Sequence, residues 1–489
     1  MLAKRKDRVE KHRKTQKGEW MAAFPVVVNG KRHMVSDKEA SLSLADYLRR
    51  LLALTGCKVV CAEGDCGACS VLVSECDEKG GASFKAINSC IYFMHQLAFQ
   101  SIVTIEGLKE EQARKLYKSM AKCHSAQCGY CTPGFVMSFA GSLQGQKDSS
   151  LKEALYGNLC RCTGYTAILD GLRQYKKDES KDDLIPAVSY EKALSLFKER
   201  QTVRVQKEGF EVYTPLTMEE ALLELSKEDK KLTITMQGGT DLGVLVNKNR
   251  LIPKRILNLS KIADIKYVSQ EGGRCLVGGG ATLRQLEDWA RGSFSELYDY
   301  MRLFASPQIK SVATLAGNVG NSSPIGDLLP FLLVARGQLK LVSKERGERV
   351  VLCKDFFVDY RKTLLKKDEL ISQISFDVPS KGDFVRFYKV SRREHLDISS
   401  VVAAFFVPKR DTTEMKMAFG GVDKVPKRLY GAESVLKKGF DRGLWDRVKE
   451  SAQKEVAPIS DVRGGASYRR LLVGQLLEKL YFDLEGAKL

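Results

Sequence analysis

The sequence of 489 residues predicts a multidomain α+β protein. A chain of this length exceeds what one hydrophobic core supports, so we expect about two to four domains. Short strand-like segments alternate with turns over residues 24–106, whereas residues 108–176 show the apolar periodicity of helices. From about residue 208 onward, β-rich runs are mixed with helical segments. These changes of pattern mark the predicted domain boundaries.

The first region, residues 24–107, begins as a β-hairpin. The segments FPVVV (24–28) and RHMV (32–35) flank Asn29-Gly30, a dipeptide typical of two-residue hairpin turns. Ser43 is predicted to cap a helix whose apolar face carries Leu44, Tyr47, Leu48, Leu51 and Leu52. Further predicted strands are SVLVS (70–74), FKAI (84–87) and IVTI (102–105). Together these elements predict a small α+β domain.

The second region, residues 108–177, is predicted to be a compact four-helix unit. Its helical segments are KEEQARKLYKSMAK, a segment opened by Pro133, LKEALYG and YTAILDGLRQY. The charged run KKDESKDD then predicts a surface linker over residues 178–207. We place a mixed α/β domain at residues 208–381 and a separate C-terminal subdomain at residues 382–489.

Composition excludes several classes of protein. No apolar run is long enough to span a bilayer. Residues 1–23 form a basic extension without the apolar core of a signal peptide, so we expect a cytoplasmic protein without membrane contact. The net charge of +19 comes from Lys and Arg interleaved with Asp and Glu, and no nucleic-acid-binding motif accompanies it. We therefore expect no nucleic-acid partner.

The 13 cysteines do not predict a disulfide framework, which is typical of small secreted chains. Eight of them form two clusters at short spacings, which argues for metal ligation. In the first set, Cys61, Cys66 and Cys69 follow the C-x4-C-x2-C spacing of plant-type ferredoxins and Cys90 follows later. Zinc also accepts four thiolates, but zinc sites usually pair two short C-x-x-C units. The spacing therefore favours a [2Fe–2S] cluster here.

The second set consists of Cys128, Cys131, Cys160 and Cys162. Pro133 suits the first turn of a helix after Cys131, and Thr163 is predicted to cap a helix after Cys162. Both pairs would then lie at helix N-termini, where the helix dipole favours negative charge. No thioredoxin-like βαβ pattern surrounds the C-x-x-C pair. On ligand type alone, zinc and an iron–sulfur cluster both stay open for this set.

The cysteine segments CAEGDCGACSV, QCGYCTPGF and GNLCRCTGY resemble the iron–sulfur part of the molybdenum hydroxylase family. Four further segments resemble the flavin part of the same family: QGGTDLGV (237–244), SPQIKSVATLAGNVGNSSPIGDLLP (306–330), SRREHLDISSVVAAF (391–405) and AFGGVDKVPKR (418–428). The resemblance covers nearly all of the chain after residue 23. It implies a β-grasp ferredoxin-like domain, a four-helix [2Fe–2S] domain, and an α/β FAD-binding domain of the vanillyl-alcohol-oxidase and CO-dehydrogenase-flavoprotein type. A C-terminal α+β subdomain would follow.

Two segments are candidates for binding FAD. The Gly238-Gly239-Thr240 turn offers backbone N–H groups to a pyrophosphate, although an ordinary strand–helix turn has the same composition. The second segment combines small residues with hydroxyl, amide and carboxylate groups. By resemblance, Phe304 faces the isoalloxazine ring, Asp327 holds FAD near its sugar end, Lys427 lies near the flavin, and Gln127 faces the partner's molybdopterin. The full candidate set is Gly238, Gly239, Thr240, Asp241, Leu242, Phe304, Ala313, Thr314, Gly317, Asn318, Asp327, Lys427 and Gln127.

The resemblance also implies a function. The chain is most similar to the small subunit of xanthine-oxidising family members, which works with a molybdopterin-binding large subunit, here expected as a heterotetramer of two small and two large chains. Electrons from purine oxidation would pass through two [2Fe–2S] clusters to FAD and then to NAD⁺. No catalytic side chain is expected here, and the five histidines are predicted to be surface or packing residues. The alternatives are a subunit acting on an aldehyde or another N-heterocycle, a stand-alone electron carrier, and a cluster-bearing scaffold.

Overall fold

The computed structural model describes residues 23–144, 150–178, 183–227 and 233–486. The described residues form a ferredoxin-like domain, a helical domain, a two-part central domain and a C-terminal subdomain, which confirms the predicted multidomain α+β architecture. No helix in these ranges has the length and apolar character needed to cross a membrane. The basic extension, residues 1–23, falls almost entirely outside the described residues.

The ferredoxin-like domain has a mixed five-stranded sheet in the order β2-β1-β5-β3-β4. Asn29 and Gly30 join β1 to β2 with positive φ angles of 49° and 77°, as the predicted hairpin turn requires. Ser43 caps helix α1, which continues as a π-helical turn over Tyr47–Leu51. The strands and helix are β1 (Ala23–Val28), β2 (Lys31–Ser36), α1 (Leu44–Asp46), β3 (Ser70–Cys76), β4 (Ala82–Asn88) and β5 (Ser101–Val103).

The helical domain packs its helices around a shared apolar core that reaches the ferredoxin-like sheet. Its helices are α2 (Glu110–Lys122), α3 (Thr132–Ser142), α4 (Leu151–Ala154) and α5 (Thr166–Asp178). Residues 178–207 were expected to form a surface linker, but the described part of this range contains regular structure. They contain helix α6 (Ala187–Glu199), which packs on the ferredoxin-like sheet and buries Ala193 and Leu196. The sheet needs an apolar cover on this face, and the neighbouring charged run concealed that helix in the sequence.

The described part of the central domain contains two larger sheets and one sheet of two short strands. The first has the order β6-β7-β9-β8, with β9 parallel to both β7 and β8. The second is antiparallel in the order β10-β11-β16-β12-β13. The first part contains β6 (Val203–Lys207), β7 (Phe210–Thr214), α7 (Met218–Leu225), β8 (Thr233–Met236), α8 (Thr240–Asn247) and β9 (Arg255–Asn258). The strand β6 also lies inside the range predicted as a linker.

Several candidate residues lie on the segments that connect the helices and strands of the second part. They are β10 (Val268–Glu271), β11 (Arg274–Gly278), α9 (Leu283–Ser293), α10 (Ser295–Arg302), α11 (Pro307–Lys310), α12 (Leu315–Asn321), α13 (Leu329–Val334), β12 (Gln338–Ser343), β13 (Gly347–Leu352), α14 (Cys353–Phe356), β14 (Phe357–Asp359), β15 (Lys362–Thr363) and β16 (Leu370–Asp377).

The C-terminal subdomain packs three helices on a four-stranded antiparallel sheet in the order β17-β18-β19-β20. All seven residues of β18 are buried, because the sheet is covered on one face by its own helices and on the other by α13. The elements are β17 (Phe384–Val390), β18 (Val401–Val407), β19 (Lys416–Gly420), β20 (Lys427–Arg428), α15 (Tyr430–Leu436), α16 (Arg442–Glu455) and α17 (Ala466–Gly486).

Candidate functional site

The first cysteine set lies in the loop before β3 and in the turn after β4. Gly64 and Gly67 have positive φ angles of 77° and 68°, which lets the loop fold around the thiols. The backbone N–H of Cys66 donates to Cys61 Sγ at 3.4 Å. Hydrogen bonding from the thiols of Cys66 and Cys90 lowers the pKa of Cys61, and the Cys69 thiol adjoins Cys90. The structure therefore brings the four predicted thiols together.

The second set forms two thiol pairs. Cys162 Sγ lies 3.6 Å from Cys128 Sγ, and both residues are exposed. The thiols of Cys131 and Cys160 hydrogen-bond to each other, and burial is the main cause that raises the pKa of Cys131 to about 12. Two thiols on each of two irons is the arrangement that a [2Fe–2S] cluster requires. No group of three or more His, Cys, Asp or Glu in the described ranges surrounds a single-ion position.

The prediction that the sequence neighbours Cys128/Cys131 and Cys160/Cys162 lie at helix N-termini agrees with the structure only for Cys128/Cys131. Cys131 is the N-cap residue of α3, with Pro133 in its first turn. Cys160 lies in the loop before α5, which begins only at Thr166, so this pair is not at a helix N-terminus. Thr163 Oγ1 accepts from the backbone N–H of Tyr165 at 3.2 Å and lies 3.1 Å from Cys160 Sγ. Thr163 thus shapes the cysteine loop, and the prediction that it caps the helix is wrong.

The two predicted flavin loops lie against each other. Gly239 has φ 70° and is the N-cap residue of α8. A side-chain carbon on Gly238 would stand 2.2 Å from the carbonyl oxygen of Val312, so only glycine allows this approach. In the second loop, Thr314 Oγ1 accepts from the backbone N–H of Gly317 at 3.0 Å. Asn318 Oδ1 is buried without a hydrogen-bond partner in the described residues, which fits a loop that binds a polar ligand.

Asp327 is buried in an ion pair that the sequence did not reveal. Its carboxylate accepts from Lys389 Nζ at 2.8 Å and from Ser399 Oγ at 2.7 Å. Lys389 Nζ also donates to the carbonyl oxygen of Leu303, the residue before Phe304. Lys389 stands between Tyr388 and Val390 in an apolar strand, and this position could have indicated in the sequence that the lysine is buried with a partner.

The remaining predicted residues contact other side chains or lie exposed. Lys427 Nζ forms an ion pair with Asp423 at 2.6 Å, and the lysine beside Asp327 is Lys389. Asp241 is half-exposed and lies 3.8 Å from Arg361 Nη1. Gln127 is exposed, and its Nε2 donates to the carbonyl oxygen of Cys162 at 3.0 Å.

The first cysteine set and the flavin loops belong to one contact region. Asn247 Nδ2, at the end of α8, donates to the carbonyl oxygens of Ala62 and Cys90, both at 2.8 Å. Gln96 Nε2 donates to the carbonyl oxygen of Gly238 at 3.1 Å. The helix that follows one flavin loop is therefore bonded directly to the first cysteine set.

Comparison with protein families assigns four successive domains. Residues 26–94 match the 2Fe-2S iron-sulfur cluster binding domain, and residues 104–173 match the [2Fe-2S] binding domain. Residues 208–380 match the FAD binding domain in molybdopterin dehydrogenase. Residues 386–484 match the CO dehydrogenase flavoprotein C-terminal domain. The chain thus contains two [2Fe–2S] domains and an FAD-binding domain.

Curated relatives and solved structures resemble the chain over different extents. It is 31% identical to a xanthine dehydrogenase/oxidase of Mus musculus and 29% identical to a xanthine dehydrogenase of Drosophila subobscura. Both alignments cover 94% of this chain but 39% of the relative, so the chain spans about two-fifths of their length.

A Cu,Mo-CO dehydrogenase structure matches with a TM-score of 0.51 and 25% identity over 55% of this chain and 95% of that chain. Quinoline 2-oxidoreductase from Pseudomonas putida 86 shares the fold, with a TM-score of 0.51 and 20% identity over 56% and 96% of the two chains.

Proposed function

We propose that the chain carries electrons from a molybdenum-containing partner to an acceptor. The premise is that the chain belongs to the molybdenum hydroxylase family as its iron–sulfur and FAD part. The observation that carries this proposal is the difference in exposure between the two cysteine sets. Cys128 and Cys162 are open to solvent, whereas Cys69 and Cys90 are buried beside the flavin loops. Electrons would therefore enter at the second set and leave by way of the first.

Each cysteine set would hold one [2Fe–2S] cluster, with Cys61, Cys66, Cys69 and Cys90 as one ligand set and Cys128, Cys131, Cys160 and Cys162 as the other. When bound, the clusters transfer single electrons and FAD combines them into pairs. The chain holds the thiols in position and buries Cys69 and Cys90 of the first set. The backbone N–H of Cys66, which points at Cys61 Sγ, stabilises negative charge on that sulfur.

FAD would lie along the two flavin loops. Residues Gly238 to Leu242 and Ala313 to Asn318 would cradle its pyrophosphate, with Phe304 against the ring and Asp327 toward the sugar end. The buried side chain of Lys389 holds the Asp327 carboxylate in its orientation. The unpartnered Oδ1 of Asn318 would accept a hydrogen bond from the cofactor. These contacts would hold the flavin beside the first cysteine set.

The specific form of the proposal is a xanthine dehydrogenase. On a molybdenum-containing large subunit, oxidation of hypoxanthine or xanthine towards urate, with oxygen from water, would release two electrons and two protons per hydroxylation. NAD⁺ would take both electrons and one proton. Two copies of this chain would join two large subunits. The likeness to xanthine dehydrogenases across 94% of this chain supports the purine substrate.

A second candidate is a hydroxylase of another substrate, such as an aldehyde or an N-heterocycle. The fold that the chain shares with quinoline 2-oxidoreductase supports an N-heterocycle as the substrate. A substrate screen with NAD⁺ separates the two candidates. NADH formed with xanthine and hypoxanthine supports the purine enzyme, whereas turnover of aldehydes or other heterocycles alone supports the second candidate.

The test begins with tagged protein purified from its native host. We expect about four irons per chain, bound FAD and a co-purifying molybdenum-containing subunit. Cys162→Ser should remove the second cluster, whereas the control Cys123→Ser, outside both sets, should keep both. Zinc in place of iron would contradict the cluster assignment. Purification without a molybdenum-containing partner would support a stand-alone electron carrier.

A further inference from the structure

Gln308 lies on the short helix α11 of the FAD-binding domain, and its side chain is fully buried. Its Nε2 lies 2.9 Å from Ser138 Oγ, 3.1 Å from Ser70 Oγ and 3.1 Å from Asn158 Oδ1. Ser70 belongs to the ferredoxin-like domain, and the other two acceptors belong to the helical domain. One amide group therefore meets oxygens from two other domains.

These acceptors adjoin the two cysteine sets. Ser70 directly follows Cys69, and Asn158 precedes Cys160 by two residues. Asn158 Nδ2 also donates to the carbonyl oxygen of Gly67 at 3.0 Å, inside the first cysteine loop. The next residue, Leu159, donates its backbone N–H to the carbonyl oxygen of Cys66 at 3.0 Å. A shift of Asn158 would thus change the separation of the two sets.

The packing around the Gln308 amide leaves no room for a side chain at the neighbouring glycines. A side-chain carbon on Gly157 would stand 1.6 Å from Gln308 Oε1. A side-chain carbon on Gly134, in the first turn of α3, would stand 2.3 Å from the carbonyl oxygen of Gly67. Because interiors are close-packed, these contacts transmit displacement rather than absorb it.

The same segment continues to the flavin loops. Ile309 Cδ1 would lie 3.2 Å from a side-chain carbon on Gly64 in the first cysteine loop. Four residues after Gln308, the carbonyl oxygen of Val312 packs against Gly238. The short segment of residues 308–312 therefore contacts both cysteine loops and the flavin loop that contains Gly238.

We propose that Gln308 is a positioning residue that fixes the separation of the two cysteine sets and the flavin loops, and this inference rests on the proposed electron-transfer function. An apolar side chain of the same length could fill the space but could not donate hydrogen bonds to these oxygens. Gln308 Oε1 is buried without a partner in the described residues, which costs free energy. Packing alone therefore does not account for an amide at this position.

The test is Gln308→Met in the complete chain, which keeps the side-chain length and removes the donor. We expect iron and FAD contents to stay unchanged. In dithionite-reduced protein, the magnetic interaction between the two clusters seen by electron paramagnetic resonance should weaken. Electron transfer between the clusters after rapid mixing with dithionite should slow severalfold, because Asn158 would no longer be held by Gln308 against the first cysteine loop.

The matched control is Gln100→Met, which removes an amide that donates to the carbonyl oxygen of Ser74, away from the cysteine sets. It should retain the wild-type interaction and rate. If Gln308→Met loses iron, Ser138→Ala removes one acceptor and decides in its place. Wild-type interaction and rate in the deciding variant would overturn the role of Gln308 but not the proposed function. Absence of clusters from the unmodified protein would overturn the proposed function itself.

Discussion

At the scale of single residues, buried polar groups connect segments that are far apart in the chain. His95 is buried between Phe93 and Phe210, which joins the ferredoxin-like domain to the first sheet of the central domain. Lys389 and Asp327 pair across 62 positions. Groups of this kind are costly to bury alone, so the loss of one partner has a measurable effect.

Stability should fall in acid because of His95. Burial lowers its pKa to about 3, whereas an unfolded histidine titrates near pKa 6.5. Below about pH 6.5 the unfolded state therefore binds a proton that the folded state does not, which costs about 1.4 kcal/mol per pH unit down to about pH 3. Urea midpoints of His95→Phe between pH 7.5 and 5 should fall less steeply than those of the wild type. An unchanged slope would contradict this, and exposed His124→Asn is the control.

Removal of Lys389 should destabilise the protein strongly. Lys389→Met leaves the buried Asp327 carboxylate without its cation, at a cost of about 3–5 kcal/mol. The double variant Lys389→Met/Asp327→Leu should recover most of that loss because it removes the unpaired charge. Urea midpoints of the two variants measure both effects. A double variant no more stable than the single one would show that the pair is not the source of the loss.

At the scale of elements, short helices and close backbone contacts build the site. Helix α13 is wholly buried and packs on β18 and β19, which brings Asp327 to Lys389 on β17. Gly238 on one flavin loop meets Val312 on the other without a side chain between them. The position of each loop therefore depends on its neighbour.

Gly238→Ala should separate the flavin loops. The added carbon would meet the carbonyl oxygen of Val312 at 2.2 Å, so one loop must move and the proposed pyrophosphate cradle opens. We expect flavin content to fall while iron content is retained. Gly292→Ala, on helix α9 with no atom within 4 Å of the added carbon, is the control and should stabilise by about 0.5–1 kcal/mol. Equal flavin retention in both variants would contradict the proposal that the loop at Gly238 binds the pyrophosphate.

At the scale of the whole molecule, the second cysteine set lies on an exposed surface that includes apolar side chains. Val60 is 62% exposed and Tyr130 is 47% exposed. Tyr130 Oη lies 3.4 Å from the carbonyl oxygen of Val59, so the two exposed side chains belong to neighbouring segments. An apolar surface beside the proposed entry point for electrons suits a partner subunit.

Val60→Asp should weaken the association with the proposed molybdenum-containing partner. The side chain is exposed, so the fold and iron content should be unaffected, whereas a charge buried in an interface costs several kcal/mol. We expect partner affinity to fall by about tenfold or more in a co-purification titration. Val462→Asp, 80% exposed on the C-terminal subdomain, is the control. Equal affinity in the two variants would place the partner elsewhere.

Several features were predictable from short stretches of sequence. The hairpin at Asn29-Gly30, the cap at Ser43 and the position of Pro133 all follow from local backbone preferences. The cysteine spacings are local too, because a loop that wraps a cluster needs its thiols and glycines within a few residues. Local sequence was therefore sufficient for the main elements and for grouping the eight cysteines.

Other features depend on packing between distant segments. No pattern near Lys389 marks Asp327 as its partner, and no pattern near Gln308 marks Ser70 or Ser138. Helix α6 was predicted as linker because its apolar face is visible only beside the sheet that it covers. Local periodicity records which residues prefer to be buried, but not what they are buried against. The tertiary structure alone decides those partners, because they are separated by up to 238 positions in the chain.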